Sequence, residues 1–213
     1  MKNIIMATAI LGFLYCKAQQ PIFNVFDYTI DYGNVENAHY KDTENFRDQF
    51  VGTWIYTNGN TTLKVVFQKK DMVYFSPPPV GFYSDFLIGE FQYIENGVEK
   101  VNTLNNLNIN YTDIWSYNII GNSKIISTHE PSCEDCPSDA VRLRMSFDEP
   151  ANDDATLNAD FVIRHVIENG VEKLKVQFVF RCGAVGWKKG DLDTPSTATE
   201  HTIPYGYYTL IKQ

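Results

Sequence analysis

No G-x-S-x-G, H-E-x-x-H, P-loop or dinucleotide fingerprint occurs in the sequence, so the spacings that mark a serine hydrolase, a zincin, an NTPase or a Rossmann enzyme are all missing. Basic residues are few. Eighteen Lys and Arg stand against 26 Asp and Glu, a formal charge of −8. Phosphate backbones and anionic lipid both reward clustered cations, so nucleic acid and membrane surfaces are excluded as favoured partners. The apolar run from Ile4 to Tyr15 is well short of the roughly 20 residues that span a bilayer. Sustained helical periodicity is absent, and no motif calls for a cofactor.

What is present begins with a leader. MKNIIMATAILGFLYCKA places Lys2 ahead of the apolar run and a small-residue site after it, the pattern of a secretory signal peptide over residues 1–18, cleaved after Ala18. Its loss removes Lys2 and Lys17 and no acid, taking the charge from −8 to −10. Lipidation at Cys16 is the other processing route, but it wants a small residue where Tyr15 stands. The expected address is periplasmic or extracellular. Residues 19–40 are polar, Asn-rich and dotted with aromatics, which suggests an extended N-terminal arm; residues 41–213 are long enough for one domain with its own core.

That domain reads as all-β. GTWIYT, TTLKVVFQ, DMVYF, DFLIGEFQYI, VEKVNTL, DIWSYNII, SKIISTH, AVRLRMSF, ADFVIRHVI, VEKLKVQFVF and YGYYTLIK are short extended runs separated by turn residues, about ten strands in all. One short helical turn precedes them in KDTENFRDQF, with Asp42 or Thr43 as its cap. The expected fold is a single antiparallel up-and-down barrel or a sandwich. Loops at residues 76–81, 129–139 and 182–201 interrupt the order.

The heptapeptide IENGVEK occurs twice, from Ile94 and from Ile167. Both copies centre on Asn-Gly, the pair that tolerates the positive φ of a type I′ hairpin. A two-residue turn at Asn169-Gly170 sets Phe161 opposite Phe178, Ile163 opposite Val176 and His165 opposite Leu174. Alternation then buries Leu174, Val176, Phe178, Phe180 and Cys182. The same turn at Asn96-Gly97 sets Phe91 opposite Asn102, a poorer match whose register stays open. Sequences flanking the two copies share no further pattern, so the heptapeptide reads as one turn used twice.

Candidate chemistry is sparse. Cys133 and Cys136 form a CxxC without βαβ context, flanked by acids that raise a thiol pKa; in an exported chain they form a disulfide. Zinc held by His129, Cys133 and Cys136 is the alternative, lacking a second ligand pair. Cys182, at the far end of the hairpin, is expected to be a buried free thiol. His165 sits at the margin of the core; His39 and His201 fall in irregular segments and are expected to be solvated. Asp148, Glu149, Asp153 and Asp154 lack calcium-loop spacing and read as a solvated acidic turn. Arg142, Arg144 and Arg164 alternate on neighbouring strands, either as a patch for a small anion or as outward charges. Trp54, Tyr56, Phe91 and Trp115 are the inward aromatics that a ligand in the barrel would meet.

FVGTWIYTNGNTT and LIGEFQYIENGVEKVNTLNN, with the leader, the CxxC and the late strand pair, resemble a domain-of-unknown-function family of small secreted Bacteroidota proteins. That resemblance implies an address and a single all-β domain, and nothing catalytic. Gly52-Thr53-Trp54 after a helical turn also resembles the GxW opening of lipocalin-like barrels, which implies that Trp54 closes one end beneath a basic residue, here Lys212. Together these observations suggest a non-catalytic exported barrel that binds a small, partly apolar ligand. The alternative is a structural or interaction protein of the envelope that acts through its surface and loops.

Overall fold

A computed structural model describes residues 19–76, 80–150, 152–155, 157–182, 186–198 and 200–213. The leader expected over residues 1–18, Cys16 included, lies outside them, as does the side chain of Cys182. Among the described residues the strands are β1 (Ile22–Asn24), β2 (His39–Lys41), β3 (Gly52–Asn58), β4 (Thr61–Phe75), β5 (Phe82–Glu95), β6 (Val98–Asn102), β7 (Ile119–Ile126), β8 (Val141–Phe147), β9 (Asn158–Glu168), β10 (Val171–Cys182), β11 (Trp187–Lys188), β12 (Asp191–Pro195) and β13 (Gly206–Lys212). Short 3₁₀ turns lie at Phe46–Phe50, Leu104–Asn108 and Ile114–Ser116. Among the described residues no helix is long and apolar enough to cross a membrane.

Eight strands, β3, β4, β5, β7, β8, β9, β10 and β13, pair antiparallel in chain order. The ring closes where Ile211 faces Ile55 and Lys212 faces Trp54. Of the two expected architectures, the closed barrel is the one present. A barrel of eight strands has an interior just wide enough for its own side chains. Period-two alternation supplies them: Leu63, Val65 and Phe67 from β4, Leu143, Met145 and Phe147 from β8, and Leu174, Val176 and Phe178 from β10 all point inward and are buried. Gly89 makes room for one of these rings, because a Cβ there would lie 2.6 Å from Phe67.

Both copies of the heptapeptide form hairpins. Asn96 and Asn169 have φ of 51° and 55°, and Gly97 and Gly170 follow at 78° and 77°, the paired positive values of a type I′ turn. The second hairpin pairs Phe161 with Phe178, Ile163 with Val176 and His165 with Leu174, in the expected register. In the first, Glu95 faces Val98 and Ile94 faces Glu99; a bulge then moves Tyr93 opposite Val101 and Gln92 opposite Asn102. That one-residue slip is why simple turn arithmetic fits it poorly. It lets β5 leave β6 and continue against β7 at Leu87 to Gly89.

Four expectations need correction. DIWSYNII is not one strand: Ile114 to Ser116 form a 3₁₀ turn, and β7 begins at Ile119. Phe180 is 47% exposed, because the packed core ends at Phe178 and a register shift follows Phe180. His39 and His201 are buried rather than solvated. Within the acidic turn, Glu149 and Asp154 are buried while Asp148 pairs with Lys189.

The N-terminal segment belongs to the sheet. β1 runs parallel to β2, and β2 runs parallel to β5 through His39 opposite Tyr83 and Tyr40 opposite Ser84. A small second core of Val25, Phe26, Ala38, Tyr40 and Phe82 holds it there. Beneath it, the buried carboxylate of Asp85 accepts from His39 Nε2 at 2.6 Å, Met72 N at 3.0 Å, and Asp42 N and an Arg47 terminal nitrogen at 3.1 Å. One acid therefore joins the arm, the first 3₁₀ turn and the β4 bulge at Met72, whose φ is 58°. Asp42 accepts from the amides of Phe46 and Arg47 at 2.9 and 2.8 Å; the N-cap position itself is Asn45 rather than the expected Asp42 or Thr43, so Asp42 holds the turn's first amides from further upstream.

Candidate functional site

The barrel interior is packed rather than hollow. Trp54 Nε1 donates to Phe50 O at 2.7 Å, and the Lys212 ammonium lies 5.4 Å from the indole centroid, the closing position expected of it. Lys212 in turn contacts Glu172 at 2.7 Å, which holds His165 Nε2 at 3.0 Å, so His165 is satisfied at the core margin. Phe91 packs on Phe147 with centroids 5.0 Å apart. Tyr56 meets Tyr208 edge-to-face at 5.0 Å. The Tyr208 hydroxyl is pushed up to about 12, first by burial and then by neighbouring Tyr93 and Tyr56. His201 plugs the same lumen between Phe147 and Phe178, where burial brings its pKa down to about 4. The structure therefore gathers Trp54 and Phe91 in the core, sets Tyr56 beside it and leaves Trp115 elsewhere.

The CxxC loop folds back over the outer face of the barrel. Cys133 and Cys136 are joined in a disulfide. With the sulfurs joined, neither is the thiolate that binds zinc, and the His129 imidazole is exposed. Arg142, buried beneath the loop, donates to the carbonyls of Pro131 at 2.6 Å, His129 at 2.7 Å and Ile126 at 3.0 Å, and to Gln177 Oε1 at 2.6 Å. Its guanidinium is lowered, by burial first and by Arg164 second. A cleft of about 330 Å³ remains between loop and sheet, with Arg164 and Lys175 on its wall. Those two cations are already engaged, with Asp135 at 3.0 Å and Glu168 at 3.1 Å. Arg142 and Arg164 thus anchor the loop.

Arg144 has a different setting. It lies on the outer face of β8, where its Nε donates at 2.7 Å to Asp160 Oδ2, a buried carboxylate on β9. Arg181 Nε, from β10, donates to Asp160 Oδ1 at 2.6 Å, and an Arg181 terminal nitrogen reaches Ser146 Oγ at 3.3 Å. Two guanidiniums about one-third exposed are thus splayed on one carboxylate, leaving a local charge of +1 on an acidic protein. Beside them stands Trp115. The Asp113 side chain accepts from Trp115 N at 3.1 Å and starts the 3₁₀ turn. With three residues per turn, burying Ile114 and Tyr117 turns the two residues between them, Trp115 and Ser116, outward. Trp115 is 58% exposed, its ring centroid 6.1 Å from Phe86.

Two clefts meet at that indole and share Ile120 and Ser146. One of about 290 Å³ is lined by Phe86, Asn122, Ser123, Arg144 and Arg181. The other, about 220 Å³, is lined by Tyr117, Asn118, Leu157 and the Asp148–Lys189 pair. A family model matches residues 1–213, the full chain, and describes a family of unknown function, DUF6705. The chain belongs to DUF6705. No curated protein and no solved structure matches it. Within this DUF6705 chain, Trp115 and Arg144 were legible as candidates, whereas Asp160 and Arg181 were not. Arg144 reaches Asp160 across β8 and β9, where Ser146 faces Asp160 in a register set through a loop with no turn signature; Arg181 reaches it across the β9–β10 hairpin, where Val179 faces Asp160.

Proposed function

We propose that this DUF6705 protein is an exported, non-catalytic barrel that holds a small, partly apolar ligand on its outer face at Trp115 rather than in its lumen. One observation carries the reading: the interior is filled by the chain's own aromatics, while Trp115 stands exposed where two clefts meet. Trp joins a large apolar face to a polar tip, the kind of side chain enriched at interfaces. Export rests on the leader over residues 1–18. An envelope protein bound through the surface is the alternative, but the arm from Gln19 to Tyr40, which that reading needs free, is committed to β5 and the second core.

Native mass spectrometry of protein purified from its own host tests the reading. A retained small molecule that is lost in Trp115→Ala and kept in Tyr56→Phe is the expected result. A uniformly ligand-free wild type, with Trp115 fluorescence unchanged by host extract, would overturn it.

A further inference from the structure

We infer that the Trp115 cleft takes a carboxylate carried on a six-membered ring, with its charge on Arg144 and Arg181 and its ring face on the indole. The inference rests on the Trp115 reading and adds the chemistry of the ligand. Guanidinium is planar and matches a carboxylate fork, and both guanidiniums are held in place: Arg144 sets Nε and a terminal nitrogen on Asp160 Oδ2 and Arg181 does the same on Oδ1, which leaves the other terminal nitrogen of each for a ligand. Asp160 neutralises one of the two. The remaining charge of +1 suits a monoanion better than a phosphate dianion.

The other components of the cleft fit a ring. Trp115 and Phe86 give it an apolar side, and Trp115 presents a flat surface of the kind that stacks on a ring face. Ser123 and Ser146 in the same lining offer hydroxyls and Asn122 its amide oxygen, groups at which ring hydroxyls find partners. The adjoining cleft across Trp115 supplies room for a second ring. Such a ligand has two sources, a uronic acid unit of a saccharide or an aromatic acid, which share the carboxylate and the ring and differ in hydroxyls.

The test is calorimetric titration of the full chain with digalacturonate, with its neutral analogue digalactose, and with benzoate, in wild type and in Trp115→Ala, Arg144→Gln and Lys175→Gln. Arg144→Gln leaves Asp160 paired to Arg181, so the fold is retained, and circular dichroism checks this. Binding of digalacturonate or benzoate over digalactose, weakened about tenfold or more by Trp115→Ala and by Arg144→Gln but not by Lys175→Gln, supports the inference; which of the two binds identifies the source. Digalactose bound as tightly as digalacturonate overturns the carboxylate while leaving the Trp115 reading standing. Failure of all three to bind, or binding that only Lys175→Gln weakens, overturns the inference outright. The host-purified protein then decides the Trp115 reading separately.

Discussion

Two buried carboxylates outside the clefts respond to pH in opposite senses. Asp85 is raised by burial, its largest influence, but hydrogen bonds from His39, Met72 N and Asp42 N and the charge of Arg47 together bring it below its ordinary value. Its contribution is present above the unfolded value near 3.8 and is lost as pH falls through the lower folded value. Asp85→Ala leaves Arg47 and His39 without their shared partner and is expected to cost roughly 3 to 5 kcal/mol in urea denaturation, against under about 1 kcal/mol for Asp48→Ala at its exposed pair with Lys69. Glu90 behaves otherwise. Burial raises it to about 7, opposed by hydrogen bonds from Thr103, Asn118 and Asn106. An acid with a raised folded pKa stabilises below its ordinary value near 4.5, and that stability is lost as pH rises to about 7. Glu90→Gln should therefore gain on wild type between pH 5 and pH 8 by on the order of 2 kcal/mol, allowing for screening. Parallel denaturation curves for the two proteins would refute this.

At the scale of elements, the sequence pattern was most informative where strand alternation and turn chemistry agreed. The β9–β10 hairpin follows from Asn169-Gly170 and from apolar partners on one face, without help from the rest of the chain. Its twin at Asn96-Gly97 has the same turn but a bulge at Tyr93, because β5 must serve three neighbours along one edge, β2, β7 and β6. Nothing local encodes that demand. Gly121 exposes the same kind of constraint between β7 and β8, since a Cβ there would lie 2.7 Å from both Arg144 O and Met145 Cα. Backbone cannot yield as a side chain tip can. Gly121→Ala should lower stability by about 2 kcal/mol or more by prying β7 from β8, whereas Gly170→Ala, with open space but φ of 77°, should cost about 1 kcal/mol. Equal midpoints for the two variants in thermal denaturation would contradict the assignment.

Across the whole molecule, the N-terminal segment and the barrel share one sheet, one buried ion network and adjoining cores. They are expected to unfold together. Limited proteolysis across residues 25–38 should track global unfolding by circular dichroism, with one transition for both. Cleavage of the arm well before the barrel melts would show that Asp85 and the second core do not couple them.

The sequence by itself determined the all-β class, most of the barrel strands, the register of one hairpin and the CxxC disulfide, while the placement of Lys212 over Trp54 was implied by the lipocalin-like resemblance of Gly52-Thr53-Trp54. Alternation and turn chemistry are short-range, and so is the spacing of the two cysteines. Only the tertiary structure decided that the barrel closes, that the N-terminal arm joins it, and that three of the four candidate aromatics serve the lumen while Trp115 faces outward. It also brought Arg144 across from β8 onto Asp160. Those outcomes depend on contacts between strands joined by loops without a turn signature and on the space left inside eight strands, and neither quantity is written in any local stretch of the chain.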